Sequence, residues 1–163
     1  MNPPAAAPTP TSPLRRWLPI IFWMGLIFLG STDAASGAHT SSIVLPILRW
    51  LFHGRLSLGA MENIHLVMRK TWHVLEYAIL GALLWRALSS PPAPAPGSPT
   101  PMPSLRWPAF KVILIAALYA ASDEFHQSFV PSRTSSVHDV ALDTLGASLG
   151  LAAMLAITRK RAN

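Results

Sequence analysis

The chain contains no cysteine, which excludes disulfides, thiolate metal sites and a thiol nucleophile. Charge is also scarce. Only 12% of residues are charged, and the acids number 7 against 13 lysines and arginines. No His-Glu-x-x-His spacing occurs, and none of Ser122, Ser128, Ser132, Ser135 and Ser136 sits in a Gly-x-Ser-x-Gly turn, so zinc-protease chemistry and a serine nucleophile among these residues lack their sequence signatures. There is no internal repeat and no strand-period alternation. Half of the 163 residues are hydrophobic (51%), and they lie in long blocks. That pattern places a chain of one-domain length in the membrane class. In a soluble protein the net charge of +6 would point to nucleic acid. Here the basic residues flank apolar blocks, so topology and anionic headgroups account for it and no nucleic-acid partner is expected.

Residues 1–16 form a proline-rich polar tail that can bury nothing and is expected to be disordered. Behind Arg15 and Arg16 comes an uncharged apolar stretch over 17–30, short for a span but helped by snorkelling arginines. A signal peptide is the rival reading, with small residues at Ser36, Gly37 and Ala38. Residues 33–69 are too broken to cross. Within them 43–52 carries Pro46 and Arg49, which suits a short interfacial helix. Residues 71–88 form a second span, 105–122 a third and 140–157 a fourth. Residues 89–104 hold seven prolines and read as a structureless linker. The expected fold is thus all-α and polytopic: four transmembrane helices with a short interfacial helix between the first and second. The membrane domain covers 17–158, and 159–163 is a basic tail.

Eight lysines and arginines flank one side of this arrangement (Arg15, Arg16, Arg86, Arg106, Lys111, Arg159, Lys160 and Arg161), against five on the other (Arg49, Arg55, Arg69, Lys70 and Arg133). Both termini are therefore expected in the cytoplasm. All seven acids (Asp33, Glu62, Glu76, Asp123, Glu124, Asp139 and Asp143) and all six histidines then fall on the outer side. Carboxylates at the edge of hydrocarbon are costly and mark functional sites. Their absence from the inner half of each span leaves no relay for proton-coupled transport.

Helical spacing gathers the polar residues into three groups. His73, Glu76 and Tyr77 share the start of the second span. Asp123, His126 and Gln127 share the end of the third, if that helix continues. Asp139 and Asp143 open the fourth, with His138 adjacent. Antiparallel order brings these ends to one depth, where they are expected to form one outward-facing pocket. Arg133 is the base placed among Asp123, Glu124, Asp139 and Asp143, behind a turn set by Pro131 and Ser132. Its fork suits either a carboxylate partner or a ligand phosphate. Mutual hydrogen bonding that merely glues helices together is the bland reading of the whole cluster. Histidine and carboxylate are acceptable zinc or manganese ligands, but Glu124 and His126 lie on different helix faces, and neither metal nor cofactor is expected. Gly146 and Gly150 make a small-residue face for close packing against an internal neighbour.

The stretches Lys70-Thr-Trp-His-Val-Leu-Glu-Tyr77, Ser122-Asp-Glu-Phe-His-Gln127 with Phe129, Pro131, Arg133, Ser136 and Asp139, and Asp143-Thr-Leu-Gly146 resemble the VanZ-like family of small membrane proteins. Gly30-Ser31 is also similar, and the resemblance covers 17–157. Its most specific part is Asp-Glu-x-x-Gln-x-Phe-x-x-x-Arg. The family usually has Asn where this chain has Asp143, which adds a possible charge. The resemblance implies membrane placement and a connection to glycopeptide (teicoplanin) resistance, the association of the family's name-giving member.

Two functions are compatible with these residues. In the first, the protein is a non-enzymatic envelope protein that binds a membrane lipid or cell-wall precursor through His73, Glu76, Tyr77, Asp123, Glu124, Gln127, Arg133 and Asp139. In the second, it is a small membrane enzyme acting on a phosphate- or acyl-bearing lipid. Glu76, Asp123 or Glu124 would then be the general base, with a histidine such as His126 and Arg133 assisting.

Overall fold

The structure is a computed structural model that describes residues 13–32, 37–89, 106–133 and 135–162. The proline-rich tail up to residue 12, the stretch holding Asp33 and Ser36, and residues 90–104 of the linker lie outside the described residues. The described chain is all-α, with five helices: α1 (Pro13–Gly30), α2 (Gly37–Leu51), α3 (Leu58–Leu88), α4 (Arg106–Gln127) and α5 (Val137–Ala162).

The helices outrun the apolar blocks. α3 is 31 residues long and begins 13 positions before the expected span, because Ala60, Met61, Glu62, Leu66, Met68, Arg69 and Lys70 are good helix formers in a stretch too polar for hydrocarbon. Ser57 caps its start, its hydroxyl accepting the Ala60 N–H at 3.2 Å. α2 is also longer than the ten-residue segment expected. It ends in a Schellman pair, Gly54 N–H to Arg49 C=O at 2.8 Å and His53 N–H to Trp50 C=O at 3.1 Å. His53 takes the left-handed position there, at φ 51°. α4 runs on through Asp123–Gln127, and α5 continues through Arg159 and Lys160.

α3 packs against every other helix, most extensively α5. The two run parallel and very close because glycine faces backbone. A Cβ on Gly81 would strike the Ala147 carbonyl, and one on Gly150 the Ala78 carbonyl. The core holds Ile20 and Ile27 of α1, Tyr77, Leu80, Leu84 and Trp85 of α3, Val112, Ala116 and Ala120 of α4, and Ala147 and Leu151 of α5. Outside it, large apolar side chains face outward on several helices, among them Phe22 (67% exposed), Trp72 (62%), Leu118 (63%) and Leu149 (53%).

Of the four spans expected from sequence, one helix among the described residues is by itself long and apolar enough to cross a membrane, Val137–Lys160 within α5. The others carry polar side chains that lower their apolarity: Arg15 and Arg16 in α1, His73, Glu76 and Arg86 in α3, Lys111, Asp123 and Glu124 in α4.

Candidate functional site

The start of the inner part of α3, the end of α4 and the start of α5 meet at one end of the bundle, and the last residues of α1 close it from the side. Three α4–α5 features fix the geometry. The Arg133 N–H donates to the Val130 carbonyl at 3.0 Å, so Val130-Pro131-Ser132-Arg133 is a tight turn with proline at its favoured second position. Ser136 caps α5, its hydroxyl accepting the His138 N–H at 3.1 Å. The Ser136 N–H in turn donates to Glu124 Oε2 at 2.8 Å, which pins the start of α5 to the end of α4.

Two cavities result. The first, about 290 Å³, is bordered by Lys70, Glu124, Gln127, Ser136, Asp139 and Asp143. The second, about 310 Å³, is bordered by Val44 of α2, by Met68, Trp72 and Glu76 of α3, and by Thr40 and His65. Arg69, His73 and Arg133 border both and so form the wall between them. The first cavity is polar over about half of its lining and the second is mostly apolar.

Arg133 reaches away from α4 to the end of α1. Its guanidinium donates to the carbonyl of Gly30 and, at 3.3 Å, to that of Thr32, the orphan acceptors left by a helix end. Burial and the neighbouring Arg69 guanidinium push Arg133 below its ordinary value, while Asp123, Glu124 and Glu76 act the other way. Burial and Arg69 likewise hold His65 below the usual histidine range. The His65 ring sits 3.0 Å from the Thr40 hydroxyl.

The sequence-derived candidates separate on inspection. His73, Glu124, Gln127, Arg133 and Asp139 border the first cavity, and His73, Glu76 and Arg133 the second. Tyr77 and Asp123 border neither. Each is one residue, roughly 100° of helix rotation, from a neighbour that does. Tyr77 is fully buried in the core with its ring 6.2 Å from that of Tyr119. Asp123, 3% exposed, turns toward α1 and accepts the Ser31 hydroxyl at 2.7 Å and the Gln127 amide at 2.9 Å on one oxygen. His126 also faces α1, with its ring 4.6 Å from Phe28.

Sequence reasoning placed Arg133 as the one base beside the acids. The structure adds two: Lys70 pairs with Asp139, and Arg69 stands in the shared wall. Helical arithmetic could have found both, since Arg69 and Lys70 stand four and three residues before His73. The partnership of Ser31 with Asp123 had no such signal, because the two lie 92 residues apart. Glu76 Oε1 accepts the Trp72 N–H at 2.7 Å, and its Oε2 is 3.7 Å from His73 Nδ1. Asp143 is 2% exposed, and its Oδ1 accepts no hydrogen bond from a described residue. Among the described residues no group of three His, Asp or Glu side chains is placed to hold a metal ion.

A family model described as VanZ/LLP1 matches residues 16–158, nearly the whole chain. No curated protein and no solved structure matches it.

Proposed function

The chain belongs to the VanZ/LLP1 family, and from that premise we propose that it is a multi-pass envelope membrane protein whose polar end binds an anionic, phosphate-bearing lipid or cell-wall precursor. One observation carries this reading. The two cavities lie at one end of a bundle whose flanks expose Phe22, Leu118 and Leu149, and the apolar one opens beside the guanidiniums of Arg69 and Arg133. A molecule with a charged head and a hydrocarbon tail matches such a surface in both parts. The outward apolar side chains on α1, α3 and α4 support lipid contact along those helices as well as α5. The excess of lysine and arginine at the far end supports cytoplasmic termini. α1 belongs to the bundle in this reading, supported by its bonds from Ser31 to Asp123 and from Trp23 Nε1 to the Glu76 carbonyl, at 2.7 and 2.8 Å.

Lipids that co-purify with the protein, identified by mass spectrometry, test the proposal. The expected result is retention of an anionic phosphate-bearing lipid by the native protein and its depletion in Arg69→Gln at equal abundance. Identical lipid in both would refute it. Arg69 is the better probe, because removing Arg133 also uncaps α1.

An enzymatic role is the second reading, favoured by His73 and Glu76 standing 3.7 Å apart beside the second cavity. Of the other candidate bases, Glu124 is engaged by the Ser136 N–H, and Asp123 lies away from both cavities. Glu76→Gln keeps the shape and removes the base. Loss of turnover on a lipid substrate with binding intact would select this reading.

A further inference from the structure

The two cavities are not independent, because Arg69, His73 and Arg133 border both. Their chemistry differs along one line. On the far side of this wall from α2 stand Glu124, Ser136, Asp139 and Asp143, mostly acceptors. Asp143 Oδ1 is buried there without a described hydrogen-bond partner, so it can take a donor. On the near side stand Val44, Met68 and Trp72, and these continue into side chains exposed outward on the same helices, Ile43 (65%), Ile47 (54%) and Val67 (63%). Between the two stands Arg69, which among the described residues is paired with no carboxylate. A cation half removed from water favours an anion beside it.

We propose that the ligand is an amphiphile whose phosphate lies between a hydrocarbon chain and a polar, donor-bearing head. The phosphate sits at the Arg69–Arg133 wall. The chain lies in the second cavity and leaves between α2 and α3. The head enters the first cavity and donates to Asp143 and its neighbours. This inference rests on the phosphate-binding reading above and adds the order of the three parts. The order follows from the order of apolar, cationic and acceptor-rich surfaces. Glu76 does not oppose the phosphate directly, since its oxygens face Trp72 and His73.

Binding to the purified full-length protein in dodecyl maltoside, read by tryptophan fluorescence, tests the order with four probes. They are hexadecylphosphoethanolamine, hexadecyl phosphate, phosphoethanolamine and inorganic phosphate. Hexadecylphosphoethanolamine, whose ammonium carries three N–H donors, should bind at least about tenfold more tightly than either partial probe, a tenfold step being one well-made contact. His138→Trp, an exposed position bordering the first cavity, should erase the advantage of the ethanolamine head and leave hexadecyl phosphate unchanged. Met68→Trp should weaken both chain-bearing probes and spare phosphoethanolamine. Arg69→Gln should weaken all of them. If hexadecyl phosphate and hexadecylphosphoethanolamine bind alike and His138→Trp alters neither, the three-part order is wrong while phosphate-lipid binding stands. If inorganic phosphate binds as well as the amphiphiles, the ligand is a soluble anion and the order is wrong. If no probe binds, or Arg69→Gln changes nothing, the functional reading fails with it.

Discussion

Gly146→Ala adds a single methyl group at the tightest kind of helix contact in this protein. The new Cβ would stand 2.5 Å from the Val74 carbonyl oxygen, 3.1 Å from Val74 Cα and 3.2 Å from Tyr77 Cβ. Ordinary contact begins near 3.4 Å, so α5 must retreat from α3 by roughly 1 Å. The atom in the way is backbone, and no rotamer change can clear it. Overpacking of this kind costs about 1–3 kcal/mol, and a gap of that width also forfeits a quarter to a half of each dispersion contact across it. Taking about 2 kcal/mol, the apparent Tm should fall by roughly 4–8 °C for a chain of this size. Thermal unfolding in detergent, followed by circular dichroism, reads the shift. Gly25→Ala is the control: nothing lies within 4 Å of its Cβ, and alanine raises helix propensity, so its Tm should hold or rise. Equal Tm for native protein and Gly146→Ala, or an equal loss in Gly25→Ala, would refute the close-packing argument.

Ser31→Ala should cost about 1.5–3 kcal/mol, the usual worth of a hydrogen bond to a carboxylate that is then left buried. Pairing it with Asp123→Asn should cost less than the two changes summed, as read from Tm in a double-mutant cycle. Lys70→Ala should cost under about 1 kcal/mol, since the Lys70 side chain is 45% exposed, and the difference should shrink at high salt. Reporter fusions at Asn163 and within residues 89–104 should both report cytoplasm, and an external signal from either would overturn the orientation.

Helical periodicity made the all-α class legible, and with it the meeting of His73, Glu124, Arg133 and Asp139. His73, Glu124 and Asp139 sit within a turn of an apolar block's end, Arg133 lies in the short connection between two blocks, and antiparallel order leaves those ends little choice of level. The start of α3 was not legible from hydropathy, because apolarity reports where a helix is buried and not where it is helical. Leu58 to Lys70 is polar enough to look broken and still forms a capped helix. Spacing alone puts Tyr77 and Asp123 in the pocket, and spacing fixes a face only to within a turn. The neighbouring helix decides which side of that face is cavity and which is core. The charge of Arg133 points to a carboxylate or phosphate partner. Its fork also serves the two carbonyls at the end of α1, an arrangement with no signature in the linear chain.

The ties between α1 and the rest of the site also set a timetable. Ser31 waits for Asp123, 92 residues later, and Gly30 for Arg133, 103 residues later. Ribosomes add roughly 5–20 residues per second, so the first helix stands uncapped for on the order of 5–20 s after its own synthesis. Throughout that interval its exposed carbonyls and the Ser31 hydroxyl must be satisfied by water or headgroups at the membrane edge. A chain stalled before Arg133 therefore lacks both α5, with its packing against α3, and the guanidinium that closes the end of α1. The first helix made is in this way one of the last to be completed.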